Sequence, residues 1–512
     1  MIMEKILILD FGGQYNQLIA RKVREQHVYA EIRSYNRIFL RDVRSAGYKG
    51  IIFTGGPNSV YEESSPHYDP AILEAGIPLL GICYGAQLIC HMAGGEVSGA
   101  EDHSEYGKVS LRCRKSDLFE EVPLESSCWM SHRDRIVRIP DGFRVTARTK
   151  RCPCAAMENP AKKIYAVQFH PEVTHTEYGE QIFHNFLFKI CGCKGDWHPD
   201  EFAERQIEKY KKELSGKRVL LALSGGVDSS VAAVLLHRAI GHDLVCVFVD
   251  HGLLRKDEGD YVEKVLKKEL GVNLVRVDAG KEFLEKLAGI TDPEQKRRII
   301  GEEFIRVFEK EAGKQGDIHV LAQGTIYPDL IESGKGDSAV IKSHHNVGGL
   351  PDTISFEQIV EPLNQFFKDE VREAGIMLGI PPELVWRQPF PGPGLAVRIL
   401  GEITEEKVRL LQEADAIFRE EIGKEDLEEK PGQYFAVLTD SRSVGVKGDA
   451  RFYGYVVALR AVTTEDFMTV DWTRLPYDLL ERAAARIVNE VAGISRVVYD
   501  ISQKPPATVE WE

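Results

Sequence analysis

Short apolar runs alternate with amphipathic or charged stretches along this chain, and this alternation constrains the fold more than any other feature. The runs lie at residues 5–9, 50–53, 78–82 and 164–169, and then at 218–223, 244–249, 273–277 and 319–322. Such short runs are typical of strands that are buried on both faces of a sheet. Their alternation with helical stretches predicts two doubly wound α/β domains.

Changes in composition divide the 512 residues further. A charged, helix-like connector at 195–217 separates the two sets of apolar runs, and a Pro/Gly cluster at 388–394 follows the second set. Beyond it come a polar helical stretch at 404–422, further strand-like runs and a helical stretch at 478–491. We therefore predict three domains, namely two α/β domains at 1–194 and 195–390 and a small α+β domain at 391–512.

The charge balance limits the classes of partner. Acidic residues outnumber basic ones by 79 to 65, which gives a formal net charge of -14. This balance disfavours nucleic acid as a partner, because nucleic-acid binding calls for a basic face. We expect no membrane span, since no apolar stretch reaches the roughly 20 residues that a span needs. We also expect no signal peptide, because the N-terminus runs directly into a predicted strand.

The cysteines favour a reducing compartment. There are nine of them, an odd number spread over a long chain, which argues against a disulfide framework. Two C-x-C pairs, Cys152 with Cys154 and Cys191 with Cys193, lack the usual spacing of zinc ligands and are interpreted as ordinary thiols. These features predict a cytoplasmic protein.

Residues 81–85 (GICYG) join a predicted buried strand to a predicted helix. Glycine on both sides of Cys83 permits the tight turn that exposes a nucleophile, and the helix N-terminus favours a thiolate. His170 and Glu172 follow another apolar run and are two residues apart, so both side chains point the same way in an extended chain. A nucleophilic cysteine needs a base, and the base needs an orienting acceptor. The sequence thus predicts a catalytic triad, whereas the alternative is a buried cysteine at a tight turn.

A second glycine-rich turn lies between the strand-like run 218–223 and a helical stretch. Paired glycines let the backbone approach an anion, which the N–H groups and dipole of the helix start stabilise. The carboxylate of Asp228 can bind a magnesium ion. The turn lacks the Gly-Lys-Ser/Thr ending of a Walker A loop. The predicted phosphate loop consists of Ser224, Gly225, Gly226, Val227, Asp228, Ser229 and Ser230.

The pattern formed by Cys83, His170 and Glu172 resembles that of the class I glutamine amidotransferases, and the resemblance extends over about 190 residues. The resemblance implies that Cys83 attacks the glutamine amide, that His170 transfers protons and that Glu172 orients His170. Gln87 matches a position that contacts glutamine or the oxyanion, and the backbone of Gly55 and Gly56 is a candidate oxyanion hole. Residues 132–134 read His-Arg-Asp where the family often has His-Gly-Asp, so glutamine contacts by this loop are in doubt.

The glycine-rich turn at residues 224–230 resembles the loop of the PP-loop ATP pyrophosphatases. This resemblance implies that ATP is split into AMP and pyrophosphate. Long stretches elsewhere, including 292–301, 323–333, 341–351, 388–399 and the C-terminal KPPATVEWE, are similar to the glutamine-hydrolysing GMP synthetase family. This resemblance implies a homodimeric ligase of purine biosynthesis that makes GMP from xanthosine 5′-monophosphate (XMP), using glutamine, ATP and Mg²⁺. It places the XMP contacts on Arg297, Gln433, Arg496, Lys504 and Glu510. It places a lid over the adenylylated intermediate on Asp329, Glu332 and Lys342.

Two other functions would also use parts of these patterns. A fused amidotransferase with another product, such as an NAD or asparagine synthetase, is disfavoured by the domain order and by KPPATVEWE. A PP-loop protein that thiolates RNA would need a basic face and a sulfur-carrying cysteine near the loop. The predicted PP-loop domain has only Cys246, in the middle of a strand, and the chain is acidic.

Overall fold

The computed structural model describes residues 3–99, 104–316, 318–332, 356–427, 430–464 and 469–512. These residues form two compact units, one reaching up to His198 and the other starting at Pro199. Mixed α/β structure with parallel sheets, followed by a C-terminal α+β region, confirms the predicted fold class. Within the described residues, no helix has both the length and the apolar character needed to cross a membrane.

The first unit is built around a mixed sheet. Its described strands are β1 Lys5–Asp10, β2 Tyr29–Ser34, β3 Gly50–Phe53, β4 Leu79–Ile82, β5 Glu96–Gly99, β6 Glu105–Cys113, β7 Glu125–His132, β8 Asp134–Arg138, β9 Arg144–Arg148, β10 Ala156–Asn159 and β11 Ile164–Val167. Its described helices are α1 Asn16–Glu25, α2 Leu40–Ser45, α3 Tyr84–Met92 and α4 Gly179–His184. The sheet has the order β2-β1-β3-β4-β11-β10-β9-β6-β7, and β5 pairs with β8 separately.

The parallel half of this sheet positions the candidate triad. Strand β4 lies between β3 and β11, with Phe53 opposite Gly81 and Ile82 opposite Val167. The carboxyl ends of the three strands therefore meet at one edge, which is where α/β sheets form ligand crevices. Strands β9, β10, β6 and β7 add an antiparallel half that the short apolar runs do not predict. In β6 the buried positions are interspersed with exposed polar ones, so it has no apolar run.

The second unit contains a parallel sheet and a long hairpin. Its described strands are β12 Val219–Leu223, β13 Leu244–Asp250, β14 Leu274–Asp278, β15 Val320–Ala322, β16 Gln358–Val360, β17 Gln433–Lys447, β18 Ala450–Thr463, β19 Asp471–Trp472 and β20 Ile494–Tyr499. Its described helices are α5 Pro199–Glu213, α6 Val227–Ile240, α7 Glu258–Glu263, α8 Gly280–Leu287, α9 Pro293–Ala312, α10 Tyr327–Glu332, α11 Lys368–Met377, α12 Pro382–Val385, α13 Glu405–Gly423 and α14 Tyr477–Glu490.

The parallel sheet of this unit has the order β14-β13-β12-β15-β16, so the glycine-rich turn follows its central strand. Strands β17 and β18 form an antiparallel hairpin, and β20 pairs with β18 in parallel. One hydrophobic core includes Leu220 and Val245 of the parallel sheet together with Leu411 of α13 and Ala436 of β17. The core is thus continuous across residue 391, and the predicted domain boundary there stays a prediction.

Candidate functional site

Cys83 lies at a strained turn between β4 and α3. Its φ is +52° and its ψ is -107°, a sparsely populated conformation that costs a non-glycine residue about 1–3 kcal/mol. A Cβ atom at Gly81 would lie 2.6 Å from the Gly85 carbonyl oxygen, and one at Gly85 would lie 2.5 Å from that of Phe53. Only glycine fits these two positions. The Cys83 N–H donates to the Val167 carbonyl at 2.8 Å, which ties the turn to β11.

His170 follows β11 and is buried beside Glu172. Its Nδ1 lies 2.7 Å from Glu172 Oε1, and the Thr176 hydroxyl donates to its carbonyl at 2.5 Å. Burial opposes a charge on the imidazole, but the charges of Glu172 and then Cys83, and its hydrogen bonds with both, outweigh burial and hold the pKa of His170 well above its usual value. A Cβ atom at Gly55 would lie 3.6 Å from His170 Cε1 and 3.9 Å from Cys83 Cβ. The structure therefore brings Cys83, His170, Glu172 and Gly55 together.

Gln168 was not predicted as a site residue, although it contacts the thiol. Its Nε2 lies 3.7 Å from Cys83 Sγ, and the thiol lies 3.7 Å from the Ser131 carbonyl oxygen. Gln87 is buried, and its Nε2 donates to the Asp134 carbonyl at 2.8 Å and to Gln168 Oε1 at 3.2 Å. Gln87 thus holds Gln168 in place, and its own contact with glutamine stays a prediction.

The His-Arg-Asp segment at residues 132–134 lies beside the same site around Cys83. His132 and Asp134 are buried, whereas 62% of the Arg133 side chain is exposed. Arg133 Nη2 donates to Ser59 Oγ at 3.3 Å. Ser59 lies a few residues beyond Gly55 and Gly56, so Arg133 connects the two loops that flank Cys83.

The glycine-rich turn of the second unit has the features of an anion-binding helix start. Gly225 has φ +72°, and Gly226 is the N-cap residue of α6. The Ser224 and Ser229 hydroxyls are 3.0 Å apart, and the Gly226 N–H donates to Ser224 Oγ at 3.2 Å. Val227 and Ser230 are buried in α6. Contacts of these two side chains with a phosphate stay predictions.

Lys368 completes this turn from a distant part of the chain. As the first residue of α11, it places Nζ 2.7 and 2.6 Å from the two carboxylate oxygens of Asp228. The turn lacks a Walker lysine of its own, and the fold brings a lysine to it instead. No local motif marks Lys368, because 140 residues separate it from Asp228.

Two of the five residues assigned to XMP are in contact with each other. Gln433 Nε2 donates to Glu510 Oε1 at 3.2 Å, and the buried Arg398 donates to both oxygens of Glu510 at 2.7 and 3.0 Å. Lys504 exchanges backbone hydrogen bonds with Val470 at 2.9 and 3.0 Å.

The other assigned residues bind near neighbours. Arg297, in α9, pairs with Glu294, and Arg496 donates from Nε to Ser443 Oγ at 2.9 Å. Of the predicted lid, Asp329 lies in α10 and accepts from the Ile326 N–H at 3.0 Å. Glu332 ends α10. Lys342 lies outside the described residues.

Known proteins match this chain over nearly its whole length. Family models match for glutamine amidotransferase class-I at residues 7–190, for the tRNA methyl transferase HUP domain at 217–289 and for the GMP synthase C terminal domain at 420–511. The chain is 61% identical over 510 residues to the GMP synthase [glutamine-hydrolyzing] of Acetivibrio thermocellus, covering 99% of each. It is 60% identical over 508 residues to that of Clostridium acetobutylicum, again covering 99% of each.

Proposed function

This chain belongs to the family of glutamine-hydrolysing GMP synthases, and we propose that its two sites divide the reaction into ammonia release and nucleotide activation. As a member of the family it is a ligase that makes GMP from XMP with glutamine and ATP as substrates. The main support for assigning ammonia release to the first unit is the geometry of Cys83, His170 and Glu172 within it.

In the first unit, Cys83 attacks the side-chain carbonyl carbon of glutamine. His170 accepts the thiol proton and delivers it to the departing nitrogen, so that ammonia leaves and a thioester remains. Water, deprotonated by His170, then hydrolyses the thioester to glutamate and regenerates the thiol. Glu172 orients the imidazole and stabilises its charge through the 2.7 Å contact.

The oxyanion of each tetrahedral intermediate binds to backbone N–H groups of Gly55 and Gly56. Support comes from the position of Gly55, where an added Cβ atom would lie within 4 Å of both Cys83 and His170. Gln87 acts through Gln168 and through the backbone of Asp134, and so fixes the wall of the glutamine pocket.

In the second unit, residues 224–230 hold the pyrophosphate end of ATP at the start of α6. Lys368 supplies the positive charge that the turn lacks, once its ammonium group is released from Asp228. The side chain of Asp228 is partly exposed, which suits Mg²⁺, an ion usually bound by one or two carboxylates plus substrate phosphates. When bound there, Mg²⁺ would neutralise charge on the pyrophosphate leaving group.

XMP binds to Arg297, Gln433, Arg496, Lys504 and Glu510, and its 2-oxygen attacks the α-phosphorus of ATP. Ammonia then displaces AMP from the adenylylated base to give GMP. Asp329, Glu332 and Lys342 belong to the lid that keeps water from this intermediate. Support comes from the Gln433–Glu510 contact, which joins the start of β17 to the C-terminal tail.

The C-terminal region also forms the interface of a homodimer. The β17–β18 hairpin exposes Val444, Val446 and Tyr453, and Val446 and Tyr453 are each more than 70% exposed. We place the enzyme in the cytoplasm, because all nine cysteines are free thiols.

One labelling experiment tests whether ammonia release and nucleotide activation are divided between the two units. A glutamine analogue that alkylates thiols should modify Cys83 and abolish GMP synthesis from glutamine. Synthesis from added ammonium salt should continue, with ATP appearing as AMP and pyrophosphate on chromatography. Loss of both activities after labelling of Cys83 alone, or release of ADP and phosphate, would contradict the proposal.

A further inference from the structure

A second cluster of reactive side chains lies in the first unit beside the triad, and the proposed mechanism does not use it. Glu105 begins β6, His132 ends β7 and Cys152 lies in the turn after β9. One ligand atom of each residue lies within 4.8 Å of the others. The exposed fractions are 6% for Glu105, 4% for His132 and 0% for Cys152.

His132 gives an independent indication that the cluster binds a ligand. Among the residues that the structure describes, no partner lies within hydrogen-bond distance and angle of either ring nitrogen; the Glu105 carboxylate and the Asp134 backbone lie nearby, and both nitrogens are inaccessible to solvent. The nearest acidic oxygen is Glu105 Oε2, 3.7 Å from Nε2. Buried polar nitrogens without a partner are rare in native proteins and call for an explanation such as an ion.

The surroundings keep the other two ligands in place. The Thr149 hydroxyl lies 2.9 and 2.7 Å from the oxygens of Glu105, and it also accepts from the Cys152 N–H at 2.9 Å. The Thr149 N–H donates to the Cys152 carbonyl at 2.9 Å. Thr149 therefore anchors Glu105 and Cys152 side by side, as the outer hydrogen bonds of metal sites anchor their ligands.

From this arrangement we propose that Glu105, His132 and Cys152 bind a single zinc ion. Thiolate, imidazole and carboxylate are the donors that zinc takes in proteins. Tetrahedral zinc with bonds of about 2.0–2.3 Å keeps its ligand atoms roughly 3.3–3.8 Å apart. The His132–Glu105 separation of 3.7 Å already fits, and the widest separation in the cluster must shorten by about 1 Å.

The site lies close to the nucleophile. Ser131 precedes His132, and its carbonyl oxygen is 3.7 Å from Cys83 Sγ. Zinc on His132 therefore fixes the strand end that contacts the thiol. The ligands come from three separate segments, so the C-x-C spacing of Cys152 and Cys154 does not reveal them.

The test uses the full-length Cys83→Ser protein, in which the catalytic thiol cannot bind metal. Equilibrium dialysis should find one zinc ion per chain, and cobalt titration should show the charge-transfer absorption of a cobalt–thiolate bond. Adding Cys152→Ser should abolish that absorption and weaken zinc binding by at least about tenfold. Adding Cys154→Ser, which removes a similarly buried thiol outside the cluster, should change neither.

His132→Ala provides a second variant, with circular dichroism to verify folding. It should weaken zinc binding as Cys152→Ser does while leaving the protein folded. The proposal is overturned if the Cys83→Ser protein takes up no zinc, if Cys152→Ser retains the thiolate absorption, or if Cys154→Ser loses as much affinity as Cys152→Ser.

Discussion

The two sites of this enzyme differ in how completely their side chains are arranged for function before any ligand binds. In the first unit, the imidazole is hydrogen-bonded to the carboxylate and interacts with the thiol, and a strained backbone and a buried sheet edge hold these groups. In the second unit, charged groups that we assign to ligands form ion pairs within the protein: Lys368 binds Asp228, and Glu510 binds Arg398. On the proposed assignments, the glutaminase site is thus preorganised, whereas the nucleotide site should exchange internal ion pairs for contacts with its ligands.

The difference follows from the chemistry that each site performs. A thiol nucleophile requires a fixed base, since a misplaced base loses much of the rate. Phosphate ligands bring their own charges, so ion pairs within the protein can neutralise the binding groups until ATP and XMP arrive. Substitutions in the first unit should therefore lower the rate with glutamine, whereas substitutions in the second unit should raise the KM for ATP or XMP.

The largest effect is expected from Cys83→Ala. Without the nucleophile, glutamine-dependent GMP synthesis should fall by about a thousandfold or more, whereas ammonia-dependent synthesis should remain within about twofold. Steady-state assays with either nitrogen source measure both. Cys90→Ala, in helix α3 directly after the turn, is the control and should retain both activities.

Glu172→Gln should lower glutaminase kcat by about a hundredfold, a typical contribution of an oriented general base. Because the Glu172 carboxylate raises the pKa of His170, its loss lowers that pKa. The pH at which the imidazole loses its proton should therefore move to lower values in the kcat profile. A reduced rate with an unmoved profile would mean that Glu172 does not set the charge of His170.

Lys368→Met should raise the KM for ATP by about tenfold to a hundredfold, since a charged hydrogen bond contributes about 1.5–3 kcal/mol. Glutamine hydrolysis should be unaffected, which distinguishes this variant from the previous two. Lys281→Met removes a lysine that is 89% exposed and serves as control. An unchanged KM for ATP would mean that Lys368 only balances the charge of Asp228.

The smallest effect is expected from Lys504→Ala, which should raise the KM for XMP by about tenfold. The alkylation rate of Cys83 by a glutamine analogue should not change. If dependence on XMP is unaltered, the tail is structural, and Lys504 serves only its backbone pairing with Val470.

Local motifs made the thiol site predictable, because Cys83 follows strand β4, His170 and Glu172 follow strand β11, and the carboxyl ends of these two paired strands meet. Lys368 and the Glu105–His132–Cys152 cluster were not predictable in this way, since their partners are distant in sequence and join only through the fold. The XMP assignments came from family resemblance, because no local motif marks these residues, and the Gln433–Glu510 contact is the support that the fold adds. Strands such as β6 escaped prediction because polar residues interrupt their apolar pattern.

The contact between Lys368 and Asp228 has a thermodynamic consequence. A polyphosphate that takes the ammonium group frees the carboxylate, and a cation that takes the carboxylate frees the ammonium group. Each event opens the same ion pair, which is worth at most about 1 kcal/mol at this partly exposed position. On the proposed roles of Lys368 and Asp228, whichever ligand binds first bears that cost, so the anion and the cation should bind cooperatively, each raising the affinity for the other by the same factor of up to about fivefold.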